Sequence, residues 1–159
     1  MARLEAYGLA ADPPKGWDGE IYRRDGQLEA RALALFGATE VAPPILHLAN
    51  FPLPSERGDY GGGAVEMMGR GGVFVSLLEH PAEEGRTAMF SPEGVPWPLQ
   101  ASDFDPQQMQ RTIGGQAGCQ RFFTYNGRAF CLYVAIGSYA SRSVLVREVN
   151  SALAAVLLD

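Results

Sequence analysis

The dipeptide Asn126-Gly127 stands between two β-rich runs, CQRFFTY and RAFCLYVAIG, and it limits the fold more than any other feature of the chain. A two-residue turn of type I′ needs positive φ at both central positions. Asn tolerates that conformation and Gly adopts it freely, so the pair predicts a β-hairpin. Folding the chain about it sets a register in which Tyr125 faces Arg128, Phe123 faces Phe130, Phe122 faces Cys131 and Cys119 faces Val134. Aromatic pairs then stack on a face that must be buried. The same register sends the two cysteines to opposite faces, three positions apart along the ladder, or about 10 Å at ~3.3 Å per residue. A disulfide needs Cα atoms within about 4.4–6.8 Å, so free thiols are expected.

Other strand signals lie upstream. Asp25-Gly26 is a second hairpin turn, pairing Tyr22 with Glu29 and Ile21 with Ala30, although Leu28–Phe36 is also rich in helix formers. Prolines 43/44 and 52/54 bracket Ile45–Phe51, a short apolar run of strand length. Ala64–Met68 and Val73–Glu79, joined through Gly69–Gly72, read as a further hairpin. Val73–Glu79 is apolar on both faces and belongs in the middle of a sheet. Residues 81–104 form an irregular crossing with four prolines. Asp105-Pro106-Gln107-Gln108 carries a capping acceptor followed by proline at the first helical position, which predicts a helical turn over about 106–111.

Near the end, Leu145, Val149, Ala152, Leu153 and Val156 recur at helical spacing while Arg147, Asn150 and Ser151 fall elsewhere, predicting an amphipathic helix of about four turns. The expected architecture is α+β: a mainly antiparallel sheet of about six or seven strands, with this helix packed on one face. Residues 1–15 show no periodicity and read as an irregular lead-in to a single domain over 16–159.

Composition bounds the function. A chain of 159 residues is one domain, able to bury roughly 68–70% of its unfolded surface. Eighteen acidic against thirteen basic residues give a net charge of −5, which argues against nucleic acid and anionic membrane surfaces as partners. No apolar run approaches the ~20 residues that span a bilayer, and MARLEAYGLAADPP lacks a signal-peptide core, so a soluble cytoplasmic protein is expected.

Candidate chemistry is sparse. His47 and His80 are the two histidines, and neither HxxxH, HExxH nor CxxC spacing occurs. Glu79 and His80 are adjacent on a strand and point to opposite faces, so they do not converge on one ion. No metal and no cofactor are expected. Cys119 follows Gly114-Gly115-Gln116-Ala117-Gly118, whose backbone N–H groups are suited to stabilising a thiolate or an oxyanion. A thiol nucleophile with His47 or His80 as base is therefore one reading of Cys119, and a structural cysteine opening a strand is the other. No Ser-His-Asp set can be assembled from spacing alone. Gly61-Gly62-Gly63 precedes a strand rather than a helix and fails as a phosphate loop. Arg57-Gly58-Asp59 matches an adhesion tripeptide too short to carry weight. Asp59 and Tyr60 in this glycine-rich loop combine a charge with an aromatic ring and read as an exposed contact. Trp97, between Pro96 and Pro98, either presents an aromatic ring to a partner or plugs the edge of the core.

The order of elements, with Pro14-Lys15-Gly16-Trp17 leading into a strand-rich middle and a closing helix, resembles PsbP-like α+β domains. GDYGGGAVE and GQAGCQRFFTYNGRAFCLYVAIGS are similar to segments of uncharacterised small bacterial proteins. The first resemblance implies a binding or assembly accessory; the second implies no activity. Two central strands apolar on both faces leave one face for Leu28–Phe36, the 81–112 crossing or another subunit to cover. The expectation is a non-catalytic binding or assembly module, as a homo-oligomer or with a protein partner. A thiol-dependent or metal-assisted enzyme and a small-molecule carrier, with its ligand between sheet and helix or under residues 91–104, are the alternatives.

Overall fold

The computed structural model describes residues 2–23 and 42–159. The Asp25-Gly26 turn and the Leu28–Phe36 segment lie outside the described residues. Within them the order is β1 (Leu4–Ala6), β2 (Leu9–Ala11), β3 (Asp18–Arg23), β4 (Pro44–Ala49), β5 (Val73–His80), β6 (Ala117–Tyr125), β7 (Arg128–Ile136), α1 (Arg142–Leu153) and β8 (Val156–Leu158).

The strands form two antiparallel sheets rather than the single expected one: five strands in the order β3-β4-β5-β7-β6 and three in the order β1-β2-β8. The fold class is α+β. The second sheet arises at both ends of the chain. The expected irregular lead-in is a hairpin turning through Tyr7 and Gly8, both at positive φ, with Ala6 opposite Leu9. Leu9–Ala11, buried at every position, then pairs with β8. That pairing also shortens the C-terminal helix. Its apolar spacing runs on to Val156, yet α1 stops after Leu153 and Val156–Leu158 extend to match Leu9–Ala11. The apolar residues that would have continued the helix serve a strand instead, where their backbone groups pair across to β2.

The β6–β7 hairpin has the expected register, from Tyr125↔Arg128 to Cys119↔Val134, with Asn126 at φ 50° and Gly127 at φ 75°. Both cysteines are free and buried, Cys119 in the core beneath α1 and Cys131 on the opposite face with Ile45 and Leu78. Val73–His80 lies between β4 and β7, as its two apolar faces predict. The expected turn near 106 is a short 3₁₀ turn, Pro106–Gln108, where the Asp105 carboxylate accepts the Gln107 N–H at 2.8 Å.

Ala64–Met68 corrects another expectation, since it forms turns and not a strand. The N–H groups of Ala64 and Val65 both donate to the Gly61 carbonyl, and this winding brings Ala64, Val65 and Met68 together against Phe74. Gly61 itself lies on the Phe74 ring at φ 84°, where a Cβ would come within 2.4 Å of the ring edge. Only glycine combines that backbone angle with that approach.

One face of the large sheet, carrying Leu46, Leu48, Val75, Leu132 and Val134, packs on Leu145, Val149 and Leu153 of α1 and on the small sheet. The other face is covered by the chain's own crossings. Ala64, Val65, Met68 and Met109 pack over Ala49, Phe74 and Ala135, while Phe90 meets Phe122 edge-on at 5.3 Å. Among the three covers that the sequence left open, residues of the 81–112 crossing therefore supply a share, as does the 51–68 segment. No helix among the described residues is long and apolar enough to cross a membrane.

Candidate functional site

A strand in a two-sided sheet buries every side chain, so a polar residue in its middle must find a hydrogen-bond partner above the sheet. Two such residues stand alone in apolar strands: His47 in Pro44–Ala49 and Ser76 in Val73–His80. The register makes them neighbours. Glu20 of β3 lies opposite His47, His47 opposite Ser76, Ser76 opposite Tyr133 of β7, and Tyr133 opposite Gln120 of β6. Directly opposed residues share a face, so these five form one polar row across all five strands, on the side away from α1. The rows beside it are mostly apolar: Tyr22, Ile45, Leu78, Cys131 and Phe122 on one side, and Ala49, Phe74 and Ala135 on the other.

The 51–63 loop lies on this row and supplies its partners. The Asp59 carbonyl accepts two hydrogen bonds, from Ser76 Oγ at 2.6 Å and from His47 Nε2 at 2.8 Å. The Asp59 carboxylate accepts from the Tyr22 hydroxyl at 2.9 Å. On the far side of the imidazole, Arg57 Nε donates to His47 Nδ1 at 2.8 Å, while its Nη atoms reach the Pro54 carbonyl at 2.7 Å and Glu20 Oε1 at 2.5 Å. These contacts define the tautomer. Guanidinium can only donate and a carbonyl can only accept, so Nδ1 is bare and Nε2 carries the proton. His47 is fully buried between Tyr22 and Phe74, whose rings meet it edge-on at 5.1 and 4.9 Å. Burial pushes its pKa down to about 4, and the Arg57 charge acts in the same direction, against the hydrogen bond to the Asp59 carbonyl and the Asp59 and Glu20 charges. Burial together with the Asp59 carboxylate raises the Tyr22 pKa.

Ser76, His47 and Asp59 thus meet, which spacing alone did not foretell, but their wiring is not that of a nucleophilic triad. Ser76 Oγ donates to a peptide carbonyl and not to the imidazole, and the carboxylate serves Tyr22 and not Nδ1. A triad needs the base to accept from the hydroxyl and the acid to orient the base. Here both imidazole nitrogens hold the loop.

The remaining candidates are dispersed. Cys119 is fully buried on the α1 side of the sheet, away from His47 and His80, and burial pushes its pKa up to about 11. His80 Nδ1 pairs with Glu84 at 2.6 Å and its ring tilts against Phe90 at 5.1 Å; its Nε2 is buried without a hydrogen-bond partner. Asp59 and Tyr60, expected as an exposed contact, are half-buried because the loop needs them inside, Tyr60 meeting Tyr133 edge-on at 5.6 Å. Arg57 turns inward as well, with only 7% of its side chain exposed, so Arg57-Gly58-Asp59 is not presented as a tripeptide. Trp97 takes the second of its two readings and plugs the core edge, its ring perpendicular to Phe123 at 5.9 Å. Leu99 and Phe104 are buried in that same core.

Sequence reasoning did not anticipate Arg57, Ser76, Tyr22, Glu20 or Tyr133. The solitary polar residue in VFVSLL was a usable signal for Ser76. Arg57 gave none, because its role depends on how the loop folds back. A separate open cleft of about 700 Å³ lies at the tip of the β6–β7 hairpin, lined by Gly85, Arg86, Glu93, Gly94, Tyr125 and Asn126 among others. Here Gly94 N–H donates to the Thr124 carbonyl and Thr124 N–H to the Pro92 carbonyl, continuing the sheet past its edge strand.

The structure is therefore that of an α+β protein with two antiparallel sheets, in which a buried polar cluster ties a loop to the larger sheet. Comparison with protein-family models, with curated proteins and with solved structures finds no match for this chain.

Proposed function

We propose that this chain is a non-catalytic binding or assembly module, with a second copy of itself or another protein as its partner. The observation that carries the reading is the cleft of about 700 Å³ at the hairpin tip. Residues of the β6–β7 turn, Gly85 and Gly94 line it together with Arg86 and Glu93. A concave surface with a few polar groups can receive a ligand or a side chain of a partner. The resemblance to PsbP-like domains points in the same direction. The buried polar cluster adds support, because its histidine, serine and carboxylate are all engaged in holding a loop. The thiol-enzyme alternative lacks a pairing, since Cys119 and the two histidines occupy opposite faces of one sheet.

Native mass spectrometry of protein purified without added metal or ligand, read against the denatured mass, tests the proposal. The expected result is a mass of two or more chains, or a complex with a protein, that is weakened by Ala82→Trp or Arg86→Glu in the cleft lining. A bare monomer with Cys119 rapidly and selectively alkylated at neutral pH overturns it in favour of a thiol enzyme. An excess mass of small-molecule size that survives both substitutions overturns it in favour of a carrier.

A further inference from the structure

We infer that the 51–63 loop is a latch that acid opens while the sheet beneath it stays folded. The inference goes beyond the binding reading and does not depend on it. It rests on the donor and acceptor wiring around His47. The imidazole holds the loop from two directions, through Arg57 Nε on Nδ1 and through the Asp59 carbonyl on Nε2, beside the bonds of Ser76 and Tyr22 to Asp59 and of the Leu53 N–H to the Asp18 carboxylate. Protonation at Nδ1 turns the acceptor that Arg57 needs into a donor, and sets two cations in contact inside a buried site. Among the described residues, the other polar groups that face the imidazole each hold a partner, the Tyr22 hydroxyl lying 3.4 Å from Nε2. Glu20 of β3 is paired with Arg57, Tyr22 of β3 donates to the Asp59 carboxylate, and Ser76 of β5 donates to the Asp59 carbonyl. A new Nδ1–H would point at the Arg57 guanidinium, which has no acceptor to offer it.

The way out is also built in. Glu20 is 56% exposed, so Arg57 can swing toward solvent without parting from its carboxylate. The loop itself contains Gly58, Gly61, Gly62 and Gly63, and its internal bonds, Gly58 N–H to Gly62 O and Gly61 N–H to Gly58 O, let it move as a unit. The large sheet keeps its own ladders from β3 to β6 whichever position the loop takes. Opening uncovers His47 and Ser76, a face that neutral pH conceals.

Amide hydrogen exchange across a pH series, corrected for intrinsic exchange, tests this. With His47 titrating near 6.5 when open and about 4 when closed, the opening equilibrium rises tenfold per pH unit between those values, about 300-fold in all. Exchange at Ala64 and Val65, whose N–H groups bond the Gly61 carbonyl of the loop, should accelerate accordingly while β5 and β7 amides stay protected. In Arg57→Gln, whose amide oxygen can accept from Nδ1–H, the acid response should shrink to less than tenfold. Imidazole nitrogen shifts in the unaltered protein should report the Nε2–H form at neutral pH. The inference is overturned if the Ala64 and Val65 amides are indifferent to pH, if they lose protection only together with β5 and β7, or if the imidazole proves to carry its proton on Nδ1.

Discussion

Replacing Arg128 with Met should detach the small sheet from the large one. Arg128 opens β7 next to the hairpin turn, and its guanidinium reaches five oxygens. Glu79 takes two bonds, Nη2 to Oε1 at 2.6 Å and Nε to Oε2 at 3.1 Å. The backbone carbonyls of Gly8 and Asp159 accept from Nη1 at 3.1 Å each, and that of Tyr7 from Nη2 at 3.3 Å. Tyr7-Gly8 is the turn of β1–β2 and Asp159 follows β8, so one side chain of the large sheet grips both the turn and the end of the small one. A charge-assisted hydrogen bond contributes about 1.5–3 kcal/mol when measured singly, and five of them on one group do not add. Leaving a buried carboxylate unpaired costs about 3–5 kcal/mol. Glu79 and Arg128 are 17% and 20% exposed, so water recovers some of that loss. The expected destabilisation is about 2–4 kcal/mol, or a Tm lower by roughly 5–15 °C for a chain of this size. Urea denaturation should show it, and hydrogen exchange should show amides of β1, β2 and β8 losing protection before those of β5 and β7. A loss below about 1 kcal/mol, with the small-sheet amides unchanged, would refute the assignment of Arg128 as the tie between the sheets.

Three further outcomes are expected. Asn150 clamps the backbone of Leu99 from α1, donating to its carbonyl at 2.8 Å and accepting its N–H at 2.7 Å, so Asn150→Ala should cost about 2 kcal/mol by denaturant titration and loosen residues 97–104. Gly61→Val places a β-branched residue at φ 84° against the Phe74 ring and should cost at least ~3 kcal/mol, with Phe74→Leu in the same chain restoring part of the loss; equal stability of the double and single variants would show that the ring is not the obstacle. Global stability should depend on pH through His47. Its folded pKa of about 4 lies below the 6.5 of an unfolded histidine, so the unfolded chain binds more protons between those values. The contribution is complete above about pH 6.5 and falls as pH drops to 4, by about 3 kcal/mol in all, and His47→Gln should flatten that part of the curve.

The chain determines by itself whatever rests on neighbours in sequence. Asn126-Gly127 sets the φ angles of its own turn, and once the turn is made each opposing pair follows by counting outward, which also sends Cys119 and Cys131 to different faces. Asp105 caps the turn beginning at Pro106 for the same local reason, and the spacing of Leu145, Val149 and Leu153 already describes one face of α1. Three things had to wait for the tertiary structure. Val156 fits the helical spacing and becomes a strand because Leu9–Ala11, nearly the whole chain away, offers it a ladder. Asp59 and Tyr60 look like a solvent-facing pair, yet they turn inward because His47 and Ser76 need partners. The polar row exists only once β3, β4, β5, β7 and β6 lie side by side, since its five members come from separate strands that share nothing but register. Local turn and helix geometry is written in dihedral preferences a few residues long. The demand of a buried donor or acceptor for a partner is met by whichever segment the fold carries past it, and no spacing along the chain records which one that will be.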